Sequence, residues 1–379
     1  MFSIPALTGI RAIAAGAVFF GHVLHAHLDE ALPIFEYGWI GVNMFFALSG
    51  YLFYLLYVDA LKDKTFSWKQ YLSKRFIRIY PLTILVIMLS IATMPFSYGF
   101  MDIFSHLTLL HGYYPPYRFS INPPLWTLTV ELSFYLIAPI LIVSLYAIFQ
   151  SWIERMSDPS ASTTKLKIAL ATVIVWVIGI AFCNGITGIY QNLWFYFMGR
   201  WDGAAGTLTI FGRLDDFLAG MAIAAYAKLY PKGRIPGDAL VAIGCAIIAI
   251  ALIFTDAQGG ANFVGKHKLS DFVFPSLAFG SGIIIMGLHR GGLIATFMST
   301  KTMVLLGDIS FGLYVLHYLS LPGHPKSALS FQAYLESIGI HFGISSIIVY
   351  ALFSILAYVS FRYVEKPIGK FLSRHMLHT

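Results

Sequence analysis

Apolar residues fall in long blocks along this chain, and polar residues collect in the short stretches between them. Ten blocks are long enough to cross a bilayer: 5–27, 38–58, 76–95, 124–149, 168–186, 207–229, 238–255, 271–289, 303–320 and 341–363. A spanning helix needs about 20 mostly apolar residues, and in hydrocarbon a helix satisfies its own backbone groups. The pattern predicts an all-α, polytopic membrane bundle of about ten helices. The first block, LTGIRAIAAGAVFFGHVLHAH over Leu7–His27, breaks the apolar rule with Arg11, His22 and His25. A cation at mid-membrane costs roughly 2.5–3.5 kcal/mol, so such groups face a paired or wet interior and mark function. At about 100° and 1.5 Å per residue, His22 lies three turns above Arg11, at nearly the same azimuth and roughly 16 Å away. His25 continues that polar ladder by one turn.

The stretches between blocks set orientation. Residues 59–78 carry Lys62, Lys64, Lys69, Lys74, Arg75 and Arg78, the densest basic cluster, whereas Asp29, Glu30 and Glu36 precede the second block. The excess of Lys and Arg on cytoplasmic loops then puts 59–75 and the N-terminus in the cytoplasm. Counting forward, 18 of the 25 Lys and Arg fall on inner segments, so ten spans with both termini cytoplasmic is self-consistent. A cleavable leader competes for residues 1–26, but the loss of this helix would break the ten-span topology. The outer stretches 96–123 and 187–206 are rich in aromatics, Gly and Pro. They read as an interfacial belt or as the mouth of a site with aromatic faces suited to sugars. The longest inner loop, 150–167, has the composition of a flexible link.

Composition agrees. Of 379 residues, 58% are hydrophobic and 11% charged, against roughly 25% charged in a soluble domain; mean hydropathy is +0.74. The net charge of +7 is accounted for by cytoplasmic loops, so no nucleic-acid partner is expected. Cys183 and Cys245 sit in apolar runs, which predicts neither a disulfide framework nor a metal site. One membrane-embedded domain over 1–379 is expected, with no appended soluble domain.

Further polar residues fall inside blocks. Asn43 lies among small residues, Gly41 to Gly50, that permit close helix contact. Arg75 and Arg78 are three apart on one helix face and form a fork suited to phosphate, or an ordinary membrane anchor. In Pro123-Pro124-Leu125-Trp126-Thr127-Leu128-Thr129-Val130-Glu131, Glu131 lies roughly 10 Å below the helix start, level with His22. Imidazole and carboxylate at one depth suggest a base and its orienter, or a structural contact. Arg213 and Asp216, in RLDDFLAG, are placed to neutralise each other. His317 ends SFGLYVLH, and Arg362 with Glu365, in FRYVEKP, reads as a pair closing the last helix. Walker loops, dinucleotide glycine fingerprints, HExxH and GxSxG are absent from the sequence.

These residues resemble those of the acyltransferase family 3 membrane proteins, the bacterial O-acetyltransferases that decorate cell-surface polysaccharides. Arg11 and His22 match the family's Arg, ten residues, His on the first helix. Arg75 and Arg78 match its Arg-x-x-Arg, and Trp126 to Glu131 its Trp-Ser-Leu-x-x-Glu segment, with Thr127 for Ser. RLDDFLAG, ISFGLYVLH and FRYVEKP are similar to its later landmarks, so the resemblance runs from residue 7 to 367. Asn43 stands where many members carry an acid. The resemblance implies transfer of an acetyl or short acyl group from cytoplasmic acetyl-CoA, or another acyl-CoA, across the bacterial inner membrane. The acceptor would be a hydroxyl of a cell-surface glycan or lipid-linked sugar. It also implies His22 as general base, or as the carrier of a covalent acyl intermediate, with Glu131 orienting it, and Arg11, Arg75 and Arg78 toward the donor. Asn43, Trp126, Arg213, Asp216 and His317 are lesser substrate-binding candidates, Asn43 also as an oxyanion donor, and no metal is expected. The rival from another class is a proton-coupled transporter or flippase, which also needs intramembrane His, Glu and Arg.

Overall fold

A computed structural model describes residues 4–24, 33–93, 98–154, 162–199, 202, 204–231, 233–256, 267–319 and 327–377. The described chain is helical, as the block pattern predicts, with no strand among these residues. In order the helices are α1 (Pro5–Val23), α2 (Ile40–Lys62), α3 (Trp68–Thr93), α4 (Phe100–Leu107), α5 (Trp126–Glu154), α6 (Ser162–Met198), α7 (Ala205–Leu208) and α8 (Ile210–Leu229). They continue as α9 (Gly237–Asp256), α10 (His267–Arg290), α11 (Leu293–Met298), α12 (Lys301–Asp308), α13 (Ser310–Leu316), α14 (Ser327–Ser337), α15 (Phe342–Ser360) and α16 (Lys366–Leu377). A π-helical turn, Phe361–Glu365, joins the last two.

Seven helical stretches among the described residues are long and apolar enough to cross a membrane. Their side chains are apolar on exposed faces too: Met88 is 60% exposed, Ile140 63%, Ile253 69% and Ile347 64%. Such faces suit lipid, and the chain is a multi-pass membrane protein. Three of the ten predicted blocks differ from those seven. Block 207–229 forms α8, but Arg213, Asp215, Asp216 and Lys228 keep its composition short of that standard. Block 168–186 lies inside α6, which runs 37 residues and carries the helix through the aromatic stretch predicted as loop. Its C-terminal end presents Phe195, Tyr196 and Phe197, all more than half exposed, as a belt would. Block 303–320 is interrupted at Ile309, between α12 and α13. At the third block the helix begins at Trp68, eight residues before the predicted start, because a basic first turn can leave the hydrocarbon without ending the helix.

The helices gather into two compact units. The first comprises 1–7, 43–66 and 133–299. Within it α8 packs on α6 and α10, and α10 on α9. Here α2 and α8 approach backbone to backbone: a Cβ on Gly50 would meet the Phe217 carbonyl, and one on Gly220 the Ala47 carbonyl. This is the close contact that the small residues of the second block predict. The second unit comprises 8–42, 67–132 and 300–379. Within it α13 and α14 pack on α15, and α16 on α3. Gly307 of α12 sits against the Thr8 carbonyl of α1, and Gly41 against that of Ala14.

Candidate functional site

Arg11 and His22 lie on one uninterrupted helix, α1, so the predicted spacing holds in the second unit. His22, in the last turn, meets His317 just past the end of α13: Nδ1 of His22 is 2.9 Å from Nε2 of His317, and the ring planes differ by 18°. His317 is fully buried, and its Nδ1 lies 3.0 Å from the Leu313 carbonyl one turn back. Tyr318 packs edge-on against the His22 ring, with centroids 4.9 Å apart. Phe19 packs against His317 at 5.7 Å. His25 lies outside the described residues.

The segment before α5 ties this pair to the helix that carries Glu131. Asn122 donates from Nδ2 to the Val315 carbonyl at 3.1 Å, and Tyr314 donates to the Pro124 carbonyl at 3.4 Å. Pro123 and Pro124 open the turn, where a missing N–H costs nothing. Trp126 begins α5 and is 9% exposed, and Glu131 follows in the second turn, half-buried. The same segment holds a polar cluster that no motif revealed. His106 and His111 stack with centroids 3.9 Å apart, both fully buried. His106 Nδ1 lies 3.1 Å from Asp102 Oδ1, to which Ser120 donates at 2.6 Å. Arg118 donates to the Gly112 carbonyl at 2.8 Å, and Gly112 N donates to Thr129 of α5. Burial lowers the His106 pKa from its ordinary value. It holds His111 well below that value, and the charge of His106 pushes the same way.

Arg75 and Arg78 share a face of α3, as predicted, and Arg75 is half-buried. Near them the prediction for Glu365 is corrected. Rather than an i,i+3 partner for Arg362, it lies in the π-helical turn, where the wider winding changes which side chains stand together. The cations acting on its carboxylate are Arg78 and Arg11. Arg11, Arg78 and Glu365 therefore form one charged group with net positive charge. The sequence signal was present in FRYVEKP, but assuming α-helical spacing assigned it the wrong neighbour.

The remaining candidates belong to the first unit. Arg213 donates to Asp216 Oδ2 at 3.4 Å, as its i,i+3 spacing predicts, and its guanidinium stacks 4.4 Å over Phe274. Asn43 donates from Nδ2 to Asp216 Oδ1 at 2.8 Å. All three polar residues are at most 4% exposed. The structure thus brings His22 and His317 together, and separately Asn43, Arg213 and Asp216.

Buried and half-buried polar side chains gathered among helices long and apolar enough to cross a membrane define a polar site within a multi-pass membrane protein. A family model described as an acyltransferase domain, acyltransferase family 3, matches residues 4–362, and the chain belongs to that family. It is similar to O-acetyltransferase OatA of Staphylococcus aureus, 24% identical over 97% of this chain and 57% of the relative. It is also similar to peptidoglycan O-acetyltransferase OatA of Listeria monocytogenes, 25% identical over 97% of this chain and 56% of the relative. A putative O-acetyltransferase of Staphylococcus aureus matches at 23% identity, over 97% and 57%. The chain spans slightly more than half the length of these curated relatives. No solved structure matches.

Proposed function

We propose that this protein is a membrane O-acetyltransferase of the bacterial inner membrane. It moves an acetyl or short acyl group from cytoplasmic acyl-CoA to a hydroxyl of a cell-surface glycan, or of its lipid-linked precursor, at the outer face. Its membership of the acyltransferase family supports the reaction class, and the Listeria relative's name supports a cell-wall glycan as one acceptor. The observation that carries the reading is the single face of α1, with Arg11 in a cationic group at one end and His22 in a polar pair at the other. His22 takes the acceptor proton as the hydroxyl oxygen bonds to the acyl carbon. The carbon–sulfur bond then breaks, and the proton passes to the departing thiolate. Glu131 supplies negative charge that stabilises the imidazolium between those steps. Arg75, Arg78 and Arg11 bind the phosphates of the donor, where guanidinium groups give paired, charge-assisted bonds; the Glu365 carboxylate attracts Arg78 and Arg11.

Purified protein in detergent is expected to bind acetyl-CoA, seen as a thermal shift, and to release CoA when given a glycan acceptor. An Arg75→Ala/Arg78→Ala double variant is expected to weaken donor binding by more than tenfold, since hydrogen bonds to charged groups are worth about 1.5–3 kcal/mol each. Transport of a proton or lipid without any acyl transfer would replace this reading with the transporter. Unchanged donor affinity in the double variant would return the two Arg to membrane anchoring.

A further inference from the structure

The hydrogen bonds on His317 fix more than its own place. The Leu313 carbonyl can only accept, so the contact at 3.0 Å requires the proton of a neutral His317 on Nδ1. Its Nε2 then carries a lone pair and accepts. The partner at 2.9 Å is Nδ1 of His22, which must therefore be the donor. A neutral imidazole holds one ring proton, so the lone pair of His22 lies on Nε2. We infer that His317 is a positioning residue that locks His22 as the Nδ1–H tautomer, making Nε2 of His22 the atom that removes the acceptor proton. Once Nε2 is protonated, the same Nδ1–H still donates to His317, so no ring has to turn between the two proton transfers.

Several features hold His317 for this task. It is fully buried, packed against Phe19 and Tyr318. The end of α13 that carries it is pinned by Asn122 through the Val315 carbonyl. Backbone partners of this kind select the tautomer of an imidazole and its orientation. Orientation at this precision matters, because small misplacements of a catalytic group cost orders of magnitude in rate.

The inference rests on His22 being the base of the proposed transfer, but its first test does not. Nitrogen-15 NMR of detergent-purified protein carrying labelled histidine, with His22→Gln and His317→Gln used to assign the two rings, reports each tautomer directly. The expected spectrum shows neutral His22 with its proton on Nδ1 and neutral His317 likewise. A His22 protonated on Nε2 in the unmutated protein overturns the inference, whatever the enzyme does. In the second test, His317→Phe is expected to release His22 toward the Nε2–H form. It should lower kcat on the order of 10²-fold while leaving the KM for acetyl-CoA within about twofold. His317→Gln, whose amide oxygen accepts a hydrogen bond, is expected to restore part of kcat. If His317→Phe leaves both tautomer and kcat unchanged, the positioning role is lost and the transferase reading stands. If the tautomer is as expected but the unmutated protein transfers no acyl group, the transferase reading is lost and the tautomer lock stands.

Discussion

Single side chains decide the chemistry, and two of them are separable by mutation. If His22 and Glu131 serve one step, His22→Ala abolishes transfer while donor binding survives, and Glu131→Gln is severe. The double variant then loses little beyond His22→Ala, because residues acting as a unit are far from additive. Rate measurements on the three variants, beside donor-binding isotherms, check this. Additive losses would show two independent roles. The stacked histidines before α5 give a different prediction. Burial lowers both pKa values, so below about 6.5 the unfolded segment binds more protons than the folded one. Stability is then complete above that pH and declines as pH falls from about 6.5 toward the folded-state values. Hydrogen exchange of the amides in 98–122, corrected for intrinsic rates, is expected to quicken between pH 7.5 and 5.5. In His106→Gln/His111→Gln protein the pH dependence should be smaller. Equal protection at both pH values in the unmutated protein would count against it.

At the scale of elements, polar contacts and small residues set how helices pair. Asp216 accepts from both Asn43 and Arg213 inside the first unit, joining α2 to α8. Removing one partner of a buried ion pair costs about 3–5 kcal/mol, because the remaining charge keeps its desolvation cost. Asp216→Ala is therefore expected to lower the melting temperature of the detergent-purified protein markedly. Asp216→Asn retains an acceptor and should lower it less. A melting curve unchanged in Asp216→Ala would mean that the network contributes no stability. The legibility of these elements from sequence was uneven for physical reasons. The i,i+3 pairing of Arg213 with Asp216 was readable because the α-helix fixes that distance. The pairing of Arg362 with Glu365 was not, because the chain winds as a π-helical turn there. The aromatic stretch after residue 186 was expected as loop, yet it continues α6; lipid-facing aromatics serve a helix end as well as a loop.

For the whole molecule, the prediction concerns how the helices thread the membrane. Reporter fusions at 65, 160 and 379 are expected in the cytoplasm, and fusions near 110, 200 and 262 outside. A cytoplasmic signal at 262 would remove the ten-span threading, since that stretch is the outer link between the seventh and eighth blocks. The threading also bears on the reaction. In the proposed reaction it would put Arg75 and Arg78 on the donor side and His22 toward the acceptor, with the rise of α1 between them.

The sequence alone determined that this is a helical membrane protein, because lipid leaves a long apolar block no other way to satisfy its backbone. It also determined that Arg11 and His22 share a face, since helical geometry converts a spacing into a direction. What it could not supply was any partner distant in the chain. His317 stands 295 residues from His22, Asp216 stands 173 from Asn43, and Glu365 lies far from both Arg11 and Arg78. Such contacts follow from how helices pack, and packing depends on the fit of whole surfaces rather than on local spacing. The sequence marked which polar residues were costly to bury, and only the tertiary structure decided which of them offset that cost for one another.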